Sequence, residues 1–313
     1  MLSSIAGNCF WMARYLERAE NSARLVEMAH HQALQPETSS DDVAAWVDAF
    51  AIGGDQADFT ARHGTLTRTS AATYLVLDRQ NPASLVSCLR AARENARTSR
   101  HLFTNAYWEA INSSWLAAQA LEAKDLERLE QLIEWTIGRC QHIRGANADL
   151  LRDEVPEVIS AGAAVERIDY TARLLSVMLP ILVQAGEGVA VIGSAGYHRW
   201  DALLCAAGVQ DMYRRFSKRI GHLPDTVDLL LFHREEPRSA MHNLGLLERS
   251  LRAFTRGGPC RAVGQVTTLL DLLSTSRAGF LAGDWQEVLT QLRALNAQVS
   301  DTMYGDHFAI PES

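Results

Sequence analysis

The sequence predicts an all-α fold, a multi-helix body built from two tandem copies of one helical unit. Apolar residues recur at steps of three and four through nearly the whole chain, the spacing that gathers them on one face of a helix. A run of β-branched alternation with hairpin turns is missing, and Val189-Ala190-Val191-Ile192 is too short and isolated to seed a sheet. The duplication is visible in Leu16-Glu17-Arg18-Ala19-Glu20-Asn21-Ser22-Ala23-Arg24-Leu25. It returns 149 residues later (166 − 17) as Val165-Glu166-Arg167-Ile168-Asp169-Tyr170-Thr171-Ala172-Arg173-Leu174.

In the first helix the stripe Met12, Leu16, Ala19, Ala23 and Val26 faces a core. Ser40 or Asp41 is placed to cap the helix that carries Trp46. The segment from Leu77 to Ser84 is echoed by Phe232 to Ser239 at a shift of 155 (237 − 82), and Trp46 falls against Trp200 at 154 (200 − 46). Such small drift in offset implies one unit copied twice, with repeats at approximately 1–153 and 154–313 packed as a single domain over 1–313. Asn81-Pro82 and Glu236-Pro237 are read as openings of long helices, with proline at the first helical position where its missing N–H costs nothing. Gly53-Gly54, Gly186-Glu187-Gly188, Gly193-Ser194-Ala195-Gly196 and Gly257-Gly258-Pro259 are the main breaks. Asp284 is placed to cap the last helix, and the tail from Gly305 to Ser313 is short enough to fray.

At 313 residues and 47% hydrophobic content the chain can bury a substantial core. Its net charge of −7, with Lys124 and Lys218 the only lysines, lacks the basic footprint of a nucleic-acid binder and favours forked arginine ion pairs. Five scattered cysteines with no C-x-x-C pair encode neither a disulfide framework nor a zinc site, and read as small buried hydrophobes of a reducing compartment. Met1-Leu2-Ser3-Ser4 lacks the basic start and apolar run of a signal peptide, and no charge-free segment is long enough to span a bilayer. The expectation is a cytoplasmic protein without membrane or nucleic-acid partners.

Arg14, Glu17, Asn21 and Arg24 share one face of the first helix, roughly opposite Met12, Leu16 and Ala23, where a solvent-facing stripe would lie. Phe10 and Met28 extend that face, and acid and base are kept at Glu17/Glu166, Arg18/Arg167 and Arg24/Arg173. Three readings stand: surface ion pairs, a buried network joining the repeats, or a polar cleft for a ligand or partner. Arg93, Arg97 and Arg100 also share a face near Glu94, Trp108 and Asn112. They are read as a grip for carboxylates or phosphates, or as a solvated face or partners of Glu17 and Glu20. Glu27-x-x-His30 has metal-ligand spacing, but the second copy has Ser176 and Leu179 there, so the repeat assembles no ligand set and no metal is expected. No H-E-x-x-H, P-loop, dinucleotide fingerprint or nucleophile elbow is present, and no cofactor is expected. Arg238 replaces Ala83 (238 − 155) beside the retained helix-start serines Ser84 and Ser239, which points it at a polar site suited to anions.

The collected motifs resemble the alpha-E family, bacterial all-helical proteins named for a Glu-Arg motif. The likeness rests on Asn8 to Asn21, on Arg93-Glu94-Asn95-Ala96-Arg97 with Trp108 to Asn112, and on Glu166-Arg167-Ile168-Asp169, Trp200 to Leu204, Tyr213-Arg214-Arg215 and Pro237-Arg238-Ser239. It runs over nearly the whole chain. The second copy departs from the family pattern, with Ser160 against Trp11 and Ala163 against Arg14 where a Gly-Arg-like pair would be expected. The resemblance implies a place beside a circularly permuted ATP-grasp protein of the carboxylate–amine ligase type, and near a transglutaminase-like protease, in a system that makes or modifies peptides or amides. One functional reading follows as a non-catalytic partner of the ligase that holds its peptide or amino-acid substrate or completes its site, with Arg14, Arg18, Asn21, Arg24, Arg93, Glu94, Arg97, Glu166, Arg167, Arg173, Arg238 and Ser239 as the ligand- or partner-binding residues. The alternative is an enzyme in its own right, with Glu17 or Glu20 as general base on an amine and arginines holding a carboxylate or acyl phosphate.

Overall fold

The computed structural model describes residues 3–34, 43–283 and 285–308. Among the described residues every regular element is helical. The first half holds α1 (Ser3–Ala33), α2 (Ala44–Gly53), α3 (Gln56–His63), α4 (Arg68–Ala72), α5 (Leu85–Thr98), α6 (Asn105–Ala118) and α7 (Leu129–Ala146). The second holds α8 (Glu154–Ala185), α9 (Ala195–Ala207), α10 (Gln210–Phe216), α11 (Leu223–Val227), α12 (Ala240–Phe254), α13 (Arg261–Ala282) and α14 (Trp285–Met303).

The two Glu-Arg helices, α1 and α8, pack directly on each other at the centre of the molecule. Around α1 lie α2, α5, α7 and α9; around α8 lie α9, α12 and α14. Small residues are frequent on both helices: α1 buries Ala6, Ala13, Ala19, Ala23 and Ala29, and α8 buries Ala161, Gly162, Ala164 and Ala172. Contact is tightest at Gly162, where an added Cβ would overlap the Phe10 carbonyl oxygen and stand 3.1 Å from its carbon and 3.2 Å from Ala13 Cβ. Asp153 starts α8 by accepting the Val155 N–H at 2.9 Å. Glu154–Ala190 is the one described helical stretch long and apolar enough to cross a membrane, at a mean hydropathy of 1.3; here it packs among α1, α12 and α14.

Local structure departs from the sequence reading at both prolines. Pro82 and Pro237 do not open helices: α5 begins at Leu85 and α12 at Ala240. The prolines lie in the preceding turns, and Ser84 and Ser239 cap instead, their Oγ atoms accepting from Ser87 N at 3.2 Å and His242 N at 3.0 Å. Each turn follows one π-helical turn, Thr73–Leu77 and Asp228–Phe232. Ser194 likewise caps α9, accepting from Tyr197 N at 3.1 Å, so the Gly193–Gly196 stretch is a helix connection. The fraying expected of the tail fails at Phe308, which is buried with its ring 5.3 Å from that of Phe10. The caps expected from Ser40, Asp41 and Asp284, and residues 309–313, lie outside the described residues.

Gly162→Ala should therefore destabilise the protein by about 1–3 kcal/mol through overpacking of the α1–α8 seam. Gly138→Ala, on the exposed face of α7 with nothing within 4 Å of the new Cβ, should be neutral or stabilise by up to about 1 kcal/mol. Chemical denaturation of both variants checks the contrast.

Candidate functional site

Glu17, Glu20 and Glu166 project from the inner faces of α1 and α8 and are only 5%, 0% and 0% exposed. Burying an ionised carboxylate costs several kcal/mol unless it is paired and hydrogen-bonded, so partners are obligatory. The two signatures supply them reciprocally. Arg18 grips Glu166 with two hydrogen bonds, Nε to Oε1 at 2.7 Å and Nη2 to Oε2 at 2.9 Å. Arg167, the next residue along from Glu166, returns the contact by donating from Nη2 to Glu17 Oε1. Arg14 adds a third grip on Glu166, Nε to Oε2 at 3.0 Å, with its guanidinium 4.6 Å above the Trp11 ring.

Glu20 gathers Arg24 from its own helix at 3.0 Å, Arg144 from the last turn of α7, and Arg238 from the turn before α12. Arg144 also reaches Glu17 Oε1 at 3.3 Å, which ties the two acids into one network. Asn21 joins through Oδ1, 3.5 Å from Arg238 Nη1. In all, six guanidinium groups meet three carboxylates, so positive charge exceeds negative by three. Burial opposes ionisation of Glu17, but Arg167 and then Arg144 outweigh it and hold the carboxyl at about 2. Glu20 and Glu166 are held below the ordinary carboxylate range in the same way, burial being outweighed by Arg238 at Glu20 and by Arg18 at Glu166.

The solvent-facing reading of the Arg14, Glu17, Asn21, Arg24 stripe is thereby corrected. Because α1 is enclosed by other helices, its polar face meets α7, α8 and the α12 turn instead of water. Other expected residues are placed elsewhere. Arg93, Glu94 and Arg97 sit at the rim of α5, whose buried face is Leu85, Val86, Cys88, Leu89, Ala92 and Ala96. Arg93 bonds Asn112 Oδ1 at 3.2 Å and pairs with Glu94, Arg97 is 59% exposed, and neither arginine pairs with Glu17 or Glu20. Arg93 and Arg100 flank Trp108 at 5.7 and 5.2 Å. Arg173 bonds Asp169 at 2.9 Å and the Ile52 carbonyl at 2.7 Å, and Ser239 is spent as a helix cap. His30, of the Glu27-x-x-His30 pair, meets Arg68 at 3.0 Å and Glu130 at 3.3 Å. Arg144 escaped the sequence reading; its only signal was a cation in the last turn of an amphipathic helix.

The two halves of the exchange are unequal. Glu166 is sealed by Arg14, Arg18 and the Trp11 ring. At the positions 149 residues on, Ser160 and Ala163 stand in place of Trp11 and Arg14, and the shorter side chains leave a cleft of about 160 Å³. Leu16, Ile143, Ile159 and Leu246 form apolar walls, and Glu17, Arg144 and Arg167 supply the charge. Glu17 Oε2 and Arg167 Nε are buried here without a hydrogen-bond partner among the described residues. Cys140 also lines the cleft, but burial pushes its thiol well above the usual range, which leaves it protonated.

This geometry defines an all-helical protein whose paired Glu-Arg signatures form a buried inter-helix network with one open flank. The chain belongs to the Alpha-E family, "a predicted alpha-helical domain with a conserved ER motif", which it matches over residues 1–308. It is similar to uncharacterised proteins of Mycobacterium bovis and Mycobacterium tuberculosis, each 24% identical over 340 residues that cover 98% of this chain. The chain spans 37% of the length of those relatives. No solved structure matches.

Glu166→Ala strands Arg14 and Arg18 and should cost on the order of 3–5 kcal/mol, against less than about 1 kcal/mol for Glu94→Ala at the rim of α5. Acid should melt the network. A depressed carboxyl contributes stability in full above its unfolded value near 4.5, and that contribution fades as pH falls towards 2. The melting midpoint should drop steeply across that window and less so in Glu17→Gln.

Proposed function

We propose that this protein is a binding component that holds a carboxylate-bearing peptide or amino acid in the Glu17 cleft for an ATP-grasp carboxylate–amine ligase. The observation that carries the reading is the pairing of excess positive charge with an unpartnered buried acceptor in one cleft. Arg144 and Arg167 offer a carboxylate two forked donors. Glu17 Oε2 accepts an N–H from the same ligand, and the apolar walls take its side chain. The ligase and a transglutaminase-like protease are the partners that the family resemblance suggests.

The depressed pKa of Glu17 favours binding over general-base catalysis, since a carboxyl held at about 2 is a poor proton acceptor at neutral pH. Glu20, held by three arginines, is disfavoured as a base for the same reason. We take the chain to be two copies of one unit in a single body, about 1–153 and 154–313. The reciprocal Glu-Arg exchange and the repeated π turn are what two copies facing each other would generate. On this view the first copy seals its partner's glutamate and the second leaves its partner's glutamate open.

The test is Ala163→Arg, which puts into the cleft the guanidinium that Arg14 provides opposite Glu166. Stability should hold within about 1 kcal/mol because the new cation meets Glu17. Calorimetric binding of a tripeptide ending in a free leucine carboxylate should be lost, as should co-elution with the ATP-grasp ligase of the same genome and stimulation of its ATP turnover. If the variant binds like the parent, or if C-terminal amidation of the peptide changes nothing, the assignment fails.

A further inference from the structure

A second cleft lies across the α1–α8 pair from the first, and its chemistry is different. It encloses about 340 Å³ and is lined by Arg18, Asn21 and Ser22 of α1, by Asp169, Tyr170 and Arg173 of α8, by Arg293 of α14, and by Gly53 and Ala83. Three guanidinium groups face one carboxylate, Asp169, which is already engaged by Arg173 at 2.9 Å and stands 3.7 Å from Arg293. The arginines are not used up by these contacts. Arg18 commits Nε and Nη2 to Glu166, and Arg173 commits Nε and Nη1 to Asp169 and the Ile52 carbonyl. Arg18 Nη1 and Arg173 Nη2 have no acceptor among the described residues.

The floor of the cleft carries a second, independent sign. Asn21 is 3% exposed, and its Oδ1 accepts from Arg238, which fixes the amide so that Nδ2 is the donor left over. That Nδ2 is buried with no partner among the described residues. A buried donor left unsatisfied is costly, and the network does not relieve the cost from within. Ser22 and Tyr170 direct their hydroxyl hydrogens away, to the carbonyls of Ala83 and Ala206 at 3.2 and 3.0 Å. Asp169 is the one carboxylate in the lining, so donors and positive charge outnumber the anionic acceptors there.

We infer that this cleft is a phosphate site, in which a phosphate group takes donors from Arg18, Arg173 and Asn21 while Arg293 closes over it from the rim. A phosphate is preferred to a carboxylate because it offers more acceptor oxygens and up to two negative charges to a cluster in which four guanidinium groups, Arg14 included, meet only two carboxylates, Glu166 and Asp169. Arg293 is 47% exposed, so the mouth stays open to the rest of a ligand, which suits a phosphate ester. The assignment stands independently of the Glu17 cleft, whose residues it does not use.

The experiment is calorimetric titration of the intact protein with inorganic phosphate and with phosphoserine, at constant ionic strength and with acetate as comparator. Side-chain amide signals of 15N-labelled protein are followed in parallel. Saturable phosphate binding that shifts the Asn21 amide resonance is expected, tighter for phosphoserine if the natural group is an ester and equal if it is free phosphate. Arg293→Gln, on the exposed rim, should weaken binding about tenfold, the loss of one charge-assisted contact. Asn21→Asp keeps the shape and the Arg238 contact but sets a carboxylate against the phosphate, and should abolish binding. No saturation at constant ionic strength, acetate binding as tightly as phosphate, or parent-like affinity in both variants would overturn the assignment.

Discussion

The exchange of partners between two Glu-Arg pairs is the interaction on which the rest of the structure depends. Arg18 holds Glu166 and Arg167 holds Glu17, so each helix satisfies the acid of the other. Neither acid can be buried alone, because the desolvation of an unpaired carboxylate exceeds what the surrounding apolar contacts return. Helices α1 and α8 are therefore obliged to meet in one register. The small residues along their seam, with Gly162 against the Phe10 carbonyl, allow the backbones to come close enough for those side chains to reach.

From that pair the network spreads to elements that carry no Glu-Arg signature. Arg144 brings in the end of α7 and Arg238 the turn before α12, both through Glu20. Each added guanidinium orders another part of the molecule and adds a positive charge that the three acids cannot offset. Stability and charge imbalance thus have one origin. The same arginines that tie the helices together leave the centre of the molecule short of negative charge, which is the electrostatic condition for taking up an anion.

The flanks of the two exchanged glutamates differ. Trp11 and Arg14 close the flank of Glu166, whereas Ser160 and Ala163 open the flank of Glu17. With both flanks sealed, the exchange would be a purely structural ion-pair seam. With two small residues beside Glu17, that half of the exchange is instead a cleft with a buried acceptor at its base.

The helical class, the Glu-Arg signature and the unequal residues at positions 160 and 163 were all legible in the chain, because periodicity and internal comparison need only local sequence. Helix starts were legible in kind but misplaced: serine capping, with an Oγ available for the first free N–H groups, overrode the proline signal at both Pro82 and Pro237. Arg93 and Arg97 look like the signature arginines in composition and spacing, yet they lie outside the network. Only the tertiary structure decided that the polar stripe of α1 is buried, that its partners come from residues about 120 to 220 positions away, and that Arg144 belongs with them. A helical period fixes which residues share a face. It cannot say whether that face meets water or another helix, since that depends on how every other element packs.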